Sequence, residues 1–226
     1  MRNSRRPELW GVVNVTPDSF SDGGLFLGAE AATTHALQMV EQGASVIDVG
    51  GESTRPGAAR VTPEEEIARV MPVVTSLAHA GVAVSIDTMR ASTAMAAVDA
   101  GARIINDVSG GLADSEMFAT VAACDAEYVL MHWRGHSDQM DSLATYDDVV
   151  SEVSAEIHAR VSAATEAGID TARIIVDPGL GFAKTPAHNW SLLPHLSDLA
   201  PAGLRMVVGA SRKRFLGELV PGGHEP

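Results

Sequence analysis

Cysteine and lysine are both scarce in this chain of 226 residues. The one cysteine, Cys124, excludes an internal disulfide and a multi-cysteine zinc site. The two lysines are Lys184 and Lys213. No apolar run approaches the roughly 20 residues that a membrane span needs, and the N-terminal segment MRNSRRPELW lacks the apolar core of a secretory signal. We therefore expect a soluble, cytoplasmic protein with no membrane partner.

Positive charge is also in short supply. The chain has 16 basic against 29 acidic side chains, a formal net charge of −13. This balance argues against a protein-wide electrostatic attraction to nucleic acid or to anionic lipid, so an anionic ligand must be held by local groups. The triplet Arg212, Lys213 and Arg214 is a local exception that calls for a functional explanation.

Short β-branched runs alternate with longer helical segments along the whole chain, a pattern typical of βαβ units around a parallel sheet. The seven runs are GVVNV, SVIDVG, VAVSID, RIINDV, YVLMH, RIIVD and RMVVG. Most of them finish in a polar residue or glycine, so polar side chains are expected to gather at the carboxyl ends of the strands. These are Asn14, Asp48, Asp87, Asn106, Asp107, His132 and Asp177.

The segments between the runs carry helix signals. Thr62 is predicted to cap a helix that begins at Pro63, with Glu65 as its capping-box partner. Five helices, including the one that begins at Pro63, are predicted to end at a glycine in the left-handed conformation. These glycines are Gly43, Gly81, Gly101, Gly168 and Gly203.

Two architectures accept this pattern, a doubly wound sheet and a (β/α)₈ barrel. The barrel is favoured because polar groups end nearly every strand, whereas an open sheet concentrates its site at one switch point. The first run is followed by NVTPDSFSDGG rather than by Gly-x-Gly-x-x-Gly. We therefore predict an α/β fold of the (β/α)₈ TIM-barrel type. Since only seven strands are predicted and a closed barrel needs eight, residues 1–226 are expected to form a single barrel domain that is incomplete at its C-terminal end.

Seven segments carry a resemblance to a known family. They are NVTPDSFSDGG, IDVGGESTRPGA, SIDTMR, IINDVSGG, MHWRG, VDPGLGFAK and GASRKRFLG. In this order and spacing they resemble the dihydropteroate synthases, pterin-binding barrels of the folate pathway. The resemblance implies a transferase that joins 6-hydroxymethyl-7,8-dihydropterin pyrophosphate to p-aminobenzoate, releasing pyrophosphate. It also implies inhibition by sulfonamides and a homodimer.

The same resemblance assigns candidate site residues. The residues expected to bind the pterin are Asp87, Asn106, Met131, Asp177 and Lys213, of which Asp87, Asp177 and Lys213 are also candidate catalytic residues. The residues expected to bind the aminobenzoate, partly from mobile loops, are Phe20, Thr54, Arg55, Pro56, Phe182 and Ser211. Asn14 matches the family's contact to magnesium and pyrophosphate, so Mg²⁺ is the expected cofactor.

Structural explanations compete at several of these positions. A strand-end Asp or Asn can simply cap a loop, and this is the interpretation preferred for Asp107, while Asp48 stays undecided. Lys184 is expected to be a surface or loop-closing residue. His132 could face the site, but histidine is a weak signal here.

Two other functions stay open from the sequence. The chain could be a pterin-binding but inactive fragment or paralogue, because the family's eighth strand, with its Arg-x-His pair, and the last helices have no counterpart in these residues. It could also be a methyltetrahydrofolate-type methyltransferase. That class is expected to lack the STRPGA and SRKRFLG segments, both of which are present here.

Overall fold

The computed structural model describes residues 7–16, 24–52, 61–136, 139–140 and 142–219. These residues form two compact units. The first contains the described residues up to Asn106, and the second contains those from Asp107 onward.

The first unit is a parallel sheet with helices between successive strands. Its strands are β1 (Trp10–Asn14), β2 (Val46–Gly50), β3 (Ala83–Asp87) and β4 (Ile104–Asp107, whose last residue belongs to the second unit), and they pair in chain order. Its helices are α1 (Gly24–Glu41), α2 (Pro63–His79) and α3 (Ala91–Asp99). Every residue of β2 is buried, as expected for a strand covered on both faces.

The second unit repeats this arrangement. Its strands are β5 (Glu127–Met131), β6 (Ile174–Asp177) and β7 (Arg205–Met206), again parallel and in chain order. Its helices are α4 (Met117–Ala122), α5 (Val149–Glu166) and α6 (Pro186–Leu192), with short 3₁₀ segments at Thr171–Arg173, Leu193–Asp198 and Arg214–Leu219. β7 is shorter than the predicted run, although Val207 still donates its N–H to the Val176 carbonyl at 3.0 Å.

Most local signals in the sequence are confirmed. The Thr62 hydroxyl accepts a hydrogen bond from the Glu65 N–H at 3.2 Å, and α2 begins at Pro63, while the Glu65 carboxylate pairs with Arg69. All five predicted glycines have positive φ, between 77° at Gly81 and 110° at Gly43. Four of them end helices, whereas Gly203 lies in a turn after the 3₁₀ segment Leu193–Asp198. The predicted fold class is also confirmed: the described residues form an α/β structure of the barrel type with seven parallel strands.

Within the described residues, no helix is both long enough and apolar enough to cross a lipid bilayer.

Candidate active site

The carboxyl ends of the first unit's strands form one row. Asn14 is in register with Gly50, Gly50 with Asp87, and Asp87 with Asn106. A Cβ atom placed on Gly50 would lie 3.3 Å from Asn14 Oδ1 and 3.4 Å from Asp87 Oδ2. The two polar side chains therefore converge over Gly50, and the missing side chain leaves the space between them open. The sequence predicted Asn14, Asp87 and Asn106 at strand ends, and the register places them side by side.

Asp48 supports this row from one layer deeper in the sheet. It lies two residues before Gly50, is buried, and stands in register with Ser85. Its Oδ2 accepts a hydrogen bond from Asn106 Nδ2 at 2.9 Å, while its buried Oδ1 makes no hydrogen bond of good geometry. Burial raises the pKa of Asp48, and the neighbouring Ser85 hydroxyl and Asn106 amide partly counteract this. Because the amide nitrogen of Asn106 faces Asp48, the amide oxygen is left for another partner.

Two arginines hold the backbone that leads from β2 into the ESTRPGA segment. Arg69 donates to the Gly51 carbonyl at 3.0 Å. Arg90 forms an ion pair with Glu52 at 2.8 Å. The predicted aminobenzoate and loop residues Phe20, Thr54, Arg55 and Pro56 lie outside the described residues, so their roles stay predictions.

The second unit presents its own strand ends. Met131 and Asp177 stand in register at the ends of β5 and β6. Asp177 Oδ1 accepts from the Gly179 N–H at 2.7 Å, which ties the carboxylate to the turn that follows. A Cβ atom on Gly209 would lie 3.8 Å from Asp177 Oδ2, so the segment after β7 passes close to this carboxylate.

Lys213 and Phe182 lie together in the second unit. The Lys213 Nζ is 4.1 Å from the centroid of the Phe182 ring, a cation–π geometry. Ser211 and Arg212 are exposed. The ammonium group of Lys213 thus lies over an aromatic face, whereas Arg212 is exposed to solvent.

A buried chain of three titratable groups lies beneath this pair and was not assigned from the sequence. Lys184 is 9% exposed and its Nζ lies 2.8 Å from His132 Nδ1. His132 Nε2 lies in turn 2.8 Å from Glu156 Oε2. Lys184 therefore closes the loop, as one of the two expectations had it, and is not a surface residue. The scarcity of lysine was the one sequence signal that pointed to it.

The pKa values within this chain follow from burial. Burial lowers the pKa of Lys184 to about 7 and the pKa of His132 to about 4. Burial raises the pKa of Glu156, but hydrogen bonds from His132 and Arg134 outweigh it and bring the pKa to about 2. At neutral pH the histidine is therefore neutral and the glutamate ionised.

Asp107 is a structural cap, as predicted. Its Oδ1 accepts from the Ser109 N–H at 2.8 Å, and its Oδ2 accepts from the Gly111 N–H at 2.7 Å and from the Tyr128 hydroxyl at 2.8 Å. Burial raises the pKa of this carboxyl despite these bonds. Its oxygens are occupied by the turn after β4 and by the Tyr128 hydroxyl on β5, so Asp107 is a structural residue.

Acidic, histidine and cysteine side chains are not clustered for metal binding in the described part of the chain: no group of three or more could hold an ion. Asn14, at the end of β1, is exposed, and its side-chain oxygen, a possible metal ligand, lies beside the space that Gly50 leaves open. This fits Mg²⁺, which commonly keeps most of its waters and takes few protein ligands together with substrate phosphates.

The comparisons with known proteins agree with this arrangement. A family model described as "Pterin binding enzyme" matches residues 10–225. A dihydropteroate synthase from Mycobacterium leprae is 54% identical over 95% of this chain and 76% of its own length. This chain belongs to the dihydropteroate synthase family. It is therefore a pterin-binding enzyme and a transferase.

Solved structures of dihydropteroate synthases from Xanthomonas albilineans share the fold. The structure with 4-aminobenzoic acid superposes with a TM-score of 0.87 at 46% identity, over 95% of this chain and 76% of that one. The structure in complex with 7,8-dihydropteroate gives a TM-score of 0.83 at 43% identity over the same shares. The resemblance drawn from the seven motifs is thus confirmed at the level of the family and the fold.

Proposed function

We propose that this chain condenses 6-hydroxymethyl-7,8-dihydropterin pyrophosphate with p-aminobenzoate to give 7,8-dihydropteroate and pyrophosphate. The observation that carries the proposal is the in-register row Asn14–Gly50–Asp87–Asn106 in a chain of this family. Such a row of carboxylate and carboxamide groups suits the planar edge of a pterin, which presents alternating N–H donors and acceptors.

The reaction is an alkyl transfer. The C–O bond between the pterin methylene and the diphosphate breaks, and the amine nitrogen of p-aminobenzoate forms the new C–N bond and then loses a proton. The electron-rich dihydropterin ring can delocalise positive charge that develops on the methylene carbon. Catalysis therefore depends on charge placement more than on a strong base. Asp87 and Asp177 would bind the ring and stabilise that charge.

Asn106 would complete pterin binding. Its amide nitrogen is already engaged by Asp48 at 2.9 Å, so the amide oxygen is the atom offered to the ligand. An amide held in one orientation selects a hydrogen-bond donor on the ligand and rejects an acceptor. Met131, buried at the end of β5, would pack against the flat ring.

The arylamine would be placed by Phe182 and Lys213. The aromatic face of Phe182 can stack on the benzene ring, and the ammonium group of Lys213 carries the positive charge that an anionic substrate needs in a protein of net charge −13. Ser211 would contribute a hydroxyl. Phe20, Thr54, Arg55 and Pro56 would supply the loop contacts, with Arg55 suited to a phosphate or carboxylate.

Asn14 would hold Mg²⁺ together with the diphosphate oxygens. When bound, the ion would neutralise negative charge on the departing diphosphate. We further propose that sulfonamides, as mimics of p-aminobenzoate, compete for the arylamine pocket. We also propose that the protein is cytoplasmic and forms a homodimer.

The direct test is to incubate the purified chain with both substrates and Mg²⁺ and to measure pyrophosphate and 7,8-dihydropteroate. We expect both products, and neither when p-aminobenzoate is omitted. Asp177→Asn should reduce kcat/KM by about 100-fold, because it removes a charge placed for the transition state.

The matched control is Asp125→Asn, an exposed aspartate that precedes β5 and lies away from the strand's carboxyl end. Its activity should equal that of the unmodified chain. No pyrophosphate release, in an assay where another synthase turns over, would reject the activity and leave a pterin-binding protein. Methyl transfer from methyltetrahydrofolate would instead favour the methyltransferase alternative.

A further inference from the structure

The turn between β6 and α6, residues 179–184, has a demanding backbone. Gly179, Gly181 and Ala183 have φ values of 66°, 76° and 45°. Positive φ is easy for glycine but strained for alanine. A Cβ atom on Gly179 would come within 2.4 Å of the His132 carbonyl oxygen, so the turn packs directly on the end of β5. Such a conformation persists only where surrounding contacts hold it.

Lys184 supplies the largest share of those contacts. Its Nζ donates to the carbonyls of Gly179 and Phe182, both at 3.1 Å, from inside the turn. Its third partner is His132 Nδ1 at 2.8 Å. The three N–H donors of an ammonium group are thus matched by three acceptors, which is how a buried cation is tolerated.

His132 and Glu156 fix the direction of this contact. The ionised Glu156 carboxylate can only accept, so the ring proton of His132 lies on Nε2, which donates to Glu156 Oε2 at 2.8 Å, and Nδ1 accepts from Lys184 Nζ. Arg134 bonds the same glutamate and faces Tyr146, whose hydroxyl donates to the Ala183 carbonyl at 3.0 Å. The chain therefore runs from helix α5 through β5 into the turn.

The turn 179–184 also positions Phe182 and Lys213, the two residues proposed to bind the arylamine. Phe182 lies at its centre and faces the Lys213 ammonium. A Cβ atom on Gly181 would lie 3.0 Å from Lys213 Cδ, so the stem of that lysine rests on the turn backbone. A shift of the turn would displace both residues together.

We propose that Lys184, held by His132 and Glu156, is a positioning residue for the arylamine half of the reaction. It pins the turn 179–184 so that Phe182 and Lys213 keep the geometry that receives p-aminobenzoate. The inference rests on the proposed function for its substrate. The pinning of the turn itself rests only on the contacts of the second unit.

The first test is Lys184→Met, which keeps the length and apolar stem but removes all three hydrogen bonds. Amide hydrogen exchange in residues 179–184 should become at least about 10-fold faster, because charge-assisted hydrogen bonds are lost. The KM for p-aminobenzoate should rise by about 10-fold or more, while the KM for the pterin pyrophosphate should change by less than about 3-fold.

The matched control is Arg173→Met. Arg173 is also a part-buried cation that donates to backbone carbonyls, those of Val121 and Cys124, but it lies at the opposite end of β6. This variant should lower the melting temperature and leave both KM values within about 2-fold of the unmodified chain. If Lys184 had only a structural role like that of Arg173, the two variants would change the KM values and the melting temperature in the same way.

A second pair of variants keeps the proposal testable if Lys184→Met does not fold. In His132→Asn the amide lies near the position of Nδ1 and can still accept from Lys184. In His132→Gln it lies near Nε2 and retains only the bond to Glu156. We expect His132→Asn to keep the KM for p-aminobenzoate closer to the unmodified value than His132→Gln does.

The outcomes separate the inference from the proposed function. If the unmodified chain releases no pyrophosphate, the proposed function fails, and p-aminobenzoate binding by calorimetry together with hydrogen exchange decides the inference. Unchanged exchange in the turn would overturn it. Equal rises in both KM values, or weaker exchange protection with unaltered p-aminobenzoate affinity, would overturn it as well.

Discussion

At the scale of single residues, Asp48 shows how a buried group acts through a neighbour. Its carboxyl is buried and its pKa is raised, yet it gains one hydrogen bond, from the amide of Asn106 at 2.9 Å. A buried carboxylate with so few partners contributes little to stability. We infer that the role of Asp48 is to orient the side-chain amide of Asn106.

Asp48→Asn should therefore separate binding from stability. The new amide oxygen can still accept one hydrogen bond, but the side chain can also present its nitrogen, so Asn106 is free to reverse. Pterin affinity should fall by about 10-fold, while the free energy of unfolding should stay the same or rise by about 1 kcal/mol. Calorimetric titration with 6-hydroxymethylpterin and urea unfolding measure the two quantities.

Asp99→Asn is the control for that variant, since it makes the same change at an exposed position at the end of α3, away from the bond between Asp48 and Asn106. Its pterin affinity should be unaltered. If Asp48→Asn also binds pterin normally, the orientation of Asn106 does not depend on Asp48.

The sequence allowed part of this site to be predicted. Asp87, Asn106 and Asp177 end predicted strands, and parallel strands bring such residues to one edge. Lys184 and His132 are 52 positions apart, and nothing local relates them. Their pairing depends on tertiary burial, which the pattern of neighbouring residues does not encode.

At the scale of elements, helix α2 places two adjacent glutamates in opposite environments. Glu66 is buried and accepts hydrogen bonds from Thr88 at 2.7 Å and Thr93 at 3.0 Å, besides its ion pair with Arg90. Glu65 is 49% exposed and pairs with Arg69 one turn along the helix. The helix therefore ties itself to the segment after β3 through one face.

Glu66→Gln should lower the unfolding free energy by about 3 kcal/mol, because it disrupts a buried network. Of the two carboxylates that pair with Arg90 in the described residues, only Glu52 would then remain. Glu65→Gln, the matched control, should cost less than about 1 kcal/mol because the Glu65 carboxylate is half exposed. Urea unfolding of both variants checks this. Equal losses would contradict the view that burial, and not charge alone, decides the contribution.

Element boundaries followed from the sequence where local chemistry sets them. Thr62 and the four glycines that do end helices act within a few residues of their own position. β7 was less well predicted, because a strand's extent depends on its hydrogen-bonded partner. The five-residue run RMVVG was expected to form this strand, and the strand comprises only Arg205–Met206.

At the scale of the whole molecule, basic side chains are few, and the two lysines lie close to each other. The net charge is −13, and both lysines contact the same turn, Lys184 from within and Lys213 from above Phe182. The groups that influence Lys184 are Asp177, Glu156 and His132, together with the cations Arg134 and Lys213. Asp177 and Glu156 favour the ammonium form, whereas Arg134 and Lys213 add to burial in making it costly, and burial dominates.

That cost predicts a pH dependence of stability. The pKa of Lys184 is about 7 in the folded chain, against 10.5 for an ordinary lysine. Between these values the unfolded chain binds a proton that the folded chain does not, so the unfolding free energy contributed by Lys184 rises with pH and is lost as pH falls towards 7. From pH 7.5 to 9 this rise should reach about 2 kcal/mol.

The measurement is the difference in unfolding free energy between the unmodified chain and Lys184→Met, by urea denaturation at several pH values from 7 to 9. Subtraction removes the growing self-repulsion of an acidic protein, which both chains share. The same difference for Arg173→Met should stay constant, because a guanidinium group does not titrate in this range. A constant difference for Lys184→Met would show that the folded chain keeps this lysine protonated throughout, and that its three acceptors offset the burial of its charge.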